Sequence, residues 1–99
     1  MIIARREAAC RLRITGHAGY APAGRDIVCA AVSALWGALA AELRERERAG
    51  QGRLTAGPDV LAFAPEPGYR REMEALFTLV WRGVRAVAAG YPACVRAEE

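Results

Sequence analysis

The sequence predicts an α/β chain of the α+β kind: a largely antiparallel sheet of about five strands with two helices packed on it, in the order ββαββαβ. Three observations predict it. Residues 9–15 alternate, with Cys10, Leu12 and Ile14 on one side and Arg11, Arg13 and Thr15 on the other, the period of a half-buried strand. Residues 70–89 place Met73, Leu76, Phe77, Val80 and Val84 three and four apart, the period of an amphipathic helix. Glycine and proline punctuate the rest into short segments. At 99 residues the chain makes one domain, 1–99. Its 54% apolar and 25% charged residues are an ordinary globular balance.

In order, residues 1–7 read as a first strand and residues 9–15 as a second, joined by a tight turn near Glu7 and Ala8. Residues 16–25 hold three glycines and a proline and read as a loop. Asp26 fits an N-cap, because its short carboxylate can accept from free amides of the next turn. A helix then runs to about Arg48, apolar at first and rich in Glu–Arg pairs later, and Gly50 and Gly52 end it. Residues 53–55 and 60–64 read as short strands about a Gly57-Pro58-Asp59 turn. After Pro65 and Pro67 comes the second helix, with Gly90 in the place of a C-terminal cap. Residues 93–98 complete the sheet.

Composition narrows the classes of function. All fourteen basic residues are arginine, and the net charge is +3. The arginines are scattered among eleven acids in no long run, which argues against a dedicated nucleic-acid patch. The three cysteines, Cys10, Cys29 and Cys94, match no zinc spacing and are too few for a disulfide scaffold, so a reducing compartment is expected. Cys10 and Cys94 are expected to be buried and inert. The first residues are not a secretory signal. The apolar run 27–41 is short of the ~20 residues of a membrane span, and reads as a buried helix of a cytoplasmic protein with no membrane role. No phosphate-binding glycine motif or ligand cluster is present, so neither cofactor nor metal is expected.

The segment that carries chemistry is 16–35. It contains the only histidine, His17, and places Cys29 third in the helix that Asp26 opens. First-turn amides lack intrahelical partners, and the helix dipole puts about half a positive charge there. A thiolate is stabilised in that field, and the thiolate is the reactive form. The amides of Ile27 to Cys29 are candidate donors to an oxyanion. The loop can fold His17 back to the helix start, where it would take the thiol proton and later give it to a leaving amine. Position alone also admits a plainer reading, with Cys29 a small buried hydrophobe and His17 a capping or surface residue.

Asp26 has two readings, as the helix cap or as a third group orienting His17; in the second its charge would oppose a Cys29 thiolate. Ser33, one turn after Cys29 on the same face, either approaches the thiol and substrate or bonds its own helix backbone. Trp36, two turns on, reads mainly as core, with lining the substrate pocket as the lesser alternative. Tyr20 either meets substrate or shields the cleft.

Gly16-His17-Ala18-Gly19-Tyr20, then a short glycine-containing loop, then Asp26-Ile27-Val28-Cys29-Ala30-Ala31-Val32-Ser33-Ala34-Leu35, with histidine and cysteine twelve residues apart, resembles the signature of the ribosomal-processing cysteine protease Prp family. The resemblance is most specific over 16–35 and looser, in length and element order, over the rest. It implies Cys29 as nucleophile and His17 as base, with Ser33 near the site. It implies a homodimer of α/β subunits and a mobile substrate loop over 19–25, including Gly19, Tyr20 and Gly24. It implies an endopeptidase that removes the N-terminal extension of large-subunit ribosomal protein twenty-seven, cutting after aromatic residues. Ala21-Pro22-Ala23 departs from the pattern, and its proline predicts a stiffer loop. Two competitors remain: a non-enzymatic ribosome- or RNA-associated binding module using the arginines, and a cysteine hydrolase or acyltransferase for other substrates. The protease reading itself requires no nucleic acid.

Overall fold

In the computed structural model, residues 1–22 and 24–98 are described; Ala23, within the Ala21-Pro22-Ala23 departure, lies outside them. The order of elements is the predicted one: β1 (Ile2–Ala8), β2 (Arg11–Thr15), α1 (Ile27–Arg48), β3 (Gly52–Ala56), β4 (Val60–Pro65), α2 (Arg70–Gly90) and β5 (Val95–Glu98). The strands form one sheet in the order β3-β4-β2-β1-β5. Every neighbouring pair is antiparallel except β1 and β5, which run parallel from Ile2↔Val95 to Arg5↔Glu98.

The first turn lies at Ala9 and Cys10, two residues later than expected. Glu7 stays in β1 because both Arg11 (2.8 Å) and Arg13 (3.1 Å) hold its carboxylate, and the register slips between Arg6 and Ala8 to accommodate it. Cys10 and Cys94 therefore sit in turns rather than strands, and both are half-buried rather than buried. Burial pushes the Cys10 thiol above its ordinary value, and the Glu74 carboxylate adds to this.

Alternation aims Ala4, Leu12, Leu61 and Phe63 at one face of the sheet, where they meet Leu39, Ala40 and Leu43 of α1 and Met73, Phe77, Val80, Trp81 and Val84 of α2. Partnered rows such as Leu12↔Leu61 carry this face across strands. The helices approach closely at Gly83, where a Cβ would stand 2.8 Å from Leu35 Cδ2. Arg46 of α1 bridges Glu42 (2.8 Å) and Glu72 of α2 (2.6 Å) at the far end of the pair. Trp36 is half-buried against this core.

A second, smaller core lies at the opposite end of α1. Ile2, Ala18, Val28, Val32 and Val95 are buried there, with Cys29 and Cys94 at its edge. It joins the loop after β2, the first turns of α1 and the start of β5.

Two expectations are corrected here. Gly90 is the last residue of α2 with no left-handed backbone; the Tyr91 amide closes that end on Val87 O at 2.9 Å. Residues 27–41 are not a uniformly buried helix. Only a stripe of α1 is buried, and Ile27 is 54% exposed. α1 is long and apolar enough to cross a membrane by length and composition, yet here its buried stripe packs on the sheet and on α2.

Candidate active site

Three short segments converge on one cleft. The end of β2 delivers residues 16–19, the loop returns through Gly24, and α1 begins behind Asp26. The cleft holds about 650 Å³ and is lined by His17, Gly19, Gly24, Asp26, Cys29 and Ser33 among others. Residues that the sequence singled out separately are thus neighbours in space. Tyr20 is the exception and does not line it.

Cys29 occupies the third position of α1, as its distance from the cap predicts. Asp26 is extended (φ −84°, ψ 96°), and its Oδ1 accepts from the amides of Val28 (3.0 Å) and Cys29 (2.9 Å). This is the N-cap reading. The same carboxylate reaches back into the loop, where Oδ2 accepts from the Tyr20 amide at 3.1 Å. These donors, the Cys29 amide foremost, hold the Asp26 carboxyl below its ordinary range. One side chain therefore fastens both the helix start and the loop before it.

That arrangement narrows the oxyanion expectation, which also named the Ile27 amide. The Val28 and Cys29 amides already serve Asp26, and the helix start does not offer them free. The donor that reaches the sulfur comes from the loop: the Ala18 amide lies 3.4 Å from Cys29 Sγ. Ala18 is itself buried in the small core, so this donor is anchored rather than free to swing.

His17 is exposed, one residue before that anchor. Its position follows from Gly16. With φ +88°, Gly16 turns the chain out of β2, and a Cβ there would lie 2.2 Å from the Met1 carbonyl oxygen. Glycine alone lets β2 end beside Met1 and project His17 into the cleft. Among the described residues, His17 makes no side-chain hydrogen bond with Asp26 or any other group. Its placement comes from backbone.

Ser33 is exposed at the cleft wall, one turn from Cys29; among the described residues its hydroxyl makes no bond to the helix backbone. Tyr20 does not line the cleft. Its ring packs edge-on against Tyr91, centroids 5.5 Å apart, at the end of α2. The sequence reading missed Tyr91, since no local pattern links positions seventy-one residues apart. A faint signal was an exposed aromatic immediately after a helix-ending glycine. Among the described residues, no group of three or more His, Cys, Asp or Glu side chains could hold a metal.

A thiol and an imidazole in one cleft, with an amide on the sulfur, can perform nucleophilic acyl transfer. The comparisons agree. The sequence profile of the family described as cysteine protease Prp matches residues 1–96. The ribosomal processing protease Prp of S. aureus, in complex with a covalently linked product peptide, superposes with a TM-score of 0.79 at 16% identity, over 99% of this chain and 98% of that one. The same S. aureus protease with a substrate peptide gives 0.63 at 13% identity, over 98% and 95%. The SMU.848 protein of Streptococcus mutans gives 0.58 at 25% identity, over 98% and 88%. At these identities the structural likenesses speak for the fold, and the family match for the chemistry. No curated protein sequence matches the chain.

Proposed function

Since this chain belongs to the cysteine protease Prp family, we propose that its substrate is the N-terminal extension of a ribosomal protein, that of large-subunit protein twenty-seven, removed during ribosome maturation. Cys29 Sγ attacks the scissile carbonyl. His17 accepts the thiol proton and returns it to the departing amine, leaving a thioester on Cys29. Water then enters, loses a proton to His17 and releases the new carboxylate. Asp26 works as a positioning residue and does not touch the reacting atoms. The observation that carries this reading is the single cleft shared by Cys29 and His17, with the Ala18 amide on the sulfur.

The protein acts in the cytoplasm as a homodimer, a reading that rests on the family. The outward face of α1 supports it: Ala34, Ala38 and Ala41 are exposed and uncharged, as a self-association surface would be. The test is incubation with the host's own ribosomal protein, followed by intact-mass analysis. One cut near its N-terminus is expected, lost in Cys29→Ala. A cut that persists in that variant contradicts the assignment. RNA affinity that falls steeply with salt and ignores Cys29, without any cut, would favour a binding module.

A further inference from the structure

The fixed charges that face the catalytic cleft are not both engaged. Among the described lining residues they are those of Arg25 and Asp26. The Asp26 carboxylate is occupied: Oδ1 accepts from the Val28 and Cys29 amides, and Oδ2 from the Tyr20 amide. Arg25 is exposed, and among the described residues its side chain makes no ion pair and no hydrogen bond. Its guanidinium therefore brings a planar fork of unpaired donors and a full positive charge to the space that holds Cys29 and His17. The backbone that carries it is fixed. The Arg25 amide donates to Pro22 O at 3.0 Å, Gly24 before it is left-handed (φ +85°), and Asp26 after it caps α1. The root is held while the head is free.

The protease reaction creates a negative charge in this same space. Before the cut, the scissile bond is a neutral amide. In the last step a water oxygen adds to the acyl carbon of the thioester. The C–S bond breaks and its electron pair returns to the sulfur. One water proton passes to His17 and the other to bulk solvent, so the released extension ends in a carboxylate. That carboxylate forms beside a sulfur that departs as an anion, and an unpaired cation offsets the repulsion between them. A guanidinium also matches a carboxylate in shape, holding it through parallel N–H···O bonds.

We propose that Arg25 forms a carboxylate subsite of the cleft, and that the group it holds is the new C-terminal carboxylate of the released extension. The proposal rests on the protease reading above. Uncleaved substrate offers Arg25 only neutral carbonyls at the cut, so the residue distinguishes product from substrate. It delays release of the charged product, and the severed extension becomes an inhibitor of the protease that made it.

The test uses three peptides copying the extension up to the cut: the free acid, the C-terminal amide, and the amide with Glu at its last place. Kd is measured for each with the native protein, Arg25→Gln, Arg25→Lys and His17→Gln, and cleavage of the ribosomal protein is followed in parallel. With the native protein the acid should bind about tenfold or more tighter than the amide, and the margin should shrink as salt rises. Arg25→Gln should bring acid and amide level by weakening the acid, with the melting temperature unchanged because the side chain is exposed and bonds to nothing else. Arg25→Lys should keep part of the margin, as a point charge without the fork. His17→Gln should keep all of it. Equal binding of acid and amide by the native protein, an acid preference that survives Arg25→Gln, or one that vanishes in His17→Gln overturns the proposal. Tighter binding of the Glu amide alone, lost in Arg25→Gln, would give Arg25 to a substrate side chain and overturn it as well. Cleavage absent while the Arg25-dependent preference persists sinks the protease reading and leaves the subsite standing. Cleavage intact without that preference sinks the subsite alone.

Discussion

Cys29 and His17 reach the same cleft by different means. Cys29 rides on a 22-residue helix whose first turn is capped by Asp26 and whose neighbour Val28 is buried at 1% exposure. His17 rides on a few residues after β2, held by a left-handed glycine before it and a buried alanine after it. A nucleophile must sit in a fixed field, and helical packing provides one. A proton shuttle must serve the thiol, the leaving amine and then water, and a loop allows small movements between those tasks. The difference also shows which contacts are shared. Asp26 grips both segments, so the loop is tied to the helix it serves.

Removing the glycine should break the comparison most severely. In Gly16→Ala the new Cβ meets the Met1 carbonyl oxygen at 2.2 Å and the backbone is left-handed, so β2 and Met1 must part. Cleavage should fall by about a hundredfold or more, since misplacement by 1 Å is enough for that. The melting temperature should fall too. Full activity in this variant would show that His17 is not set by Gly16.

Asp26 comes next and separates its two readings. Asp26→Asn keeps the helix cap through its one carbonyl oxygen but turns a donor toward the Tyr20 amide, so near neutral pH it should lose some activity and stability, and less than Asp26→Ala. Asp26→Ala leaves the Val28, Cys29 and Tyr20 amides without their acceptor, and should lose about tenfold or more in kcat/KM together with thermal stability. Equal, severe loss in both variants would instead favour a catalytic carboxylate. The pH dependence has a definite sign. The folded carboxyl titrates below its unfolded value of about 3.9, so its stabilisation is present above that pH. It is lost as pH falls through the folded value. Thermal melts below about pH 4 should show this acid loss in the native protein, and a smaller one in Asp26→Asn.

Much of this contrast is legible in the sequence, and for a physical reason. Capping and helical position are local, so Asp26, the third place of Cys29 and the end of α1 at Arg48 follow from adjacent residues. The alternation at 9–15 likewise gives Leu12 as the buried residue of β2, while the ion pairs of Glu7, which delay the turn, depend on side-chain reach rather than period. What the sequence does not reveal is competition. It supplies the Val28 and Cys29 amides as donors but not the acceptor that already holds them. Nor does it reveal contacts distant along the chain, such as the parallel β1–β5 pair or Tyr91 against Tyr20.

The smallest expected effect sharpens the loop's side of the comparison. Edge-to-face packing on Tyr91 is worth about 0.5–1.5 kcal/mol. Tyr91→Ala should therefore raise KM about two- to tenfold with little change in kcat, as the loop loses one support. Tyr91→Phe should behave as the native protein. A change in kcat alone would place Tyr91 outside loop positioning.

The central claim is that one cysteine of three is a nucleophile because His17 shares its cleft. It is tested most directly with a peptide electrophile copying the residues before the cut, followed by peptide mapping of the labelled protein. Rapid labelling confined to Cys29, with Cys10 and Cys94 untouched and the rate reduced at least tenfold in His17→Ala, is the predicted result. Labelling at Cys10 or Cys94, or labelling of Cys29 at the same rate without His17, would contradict it.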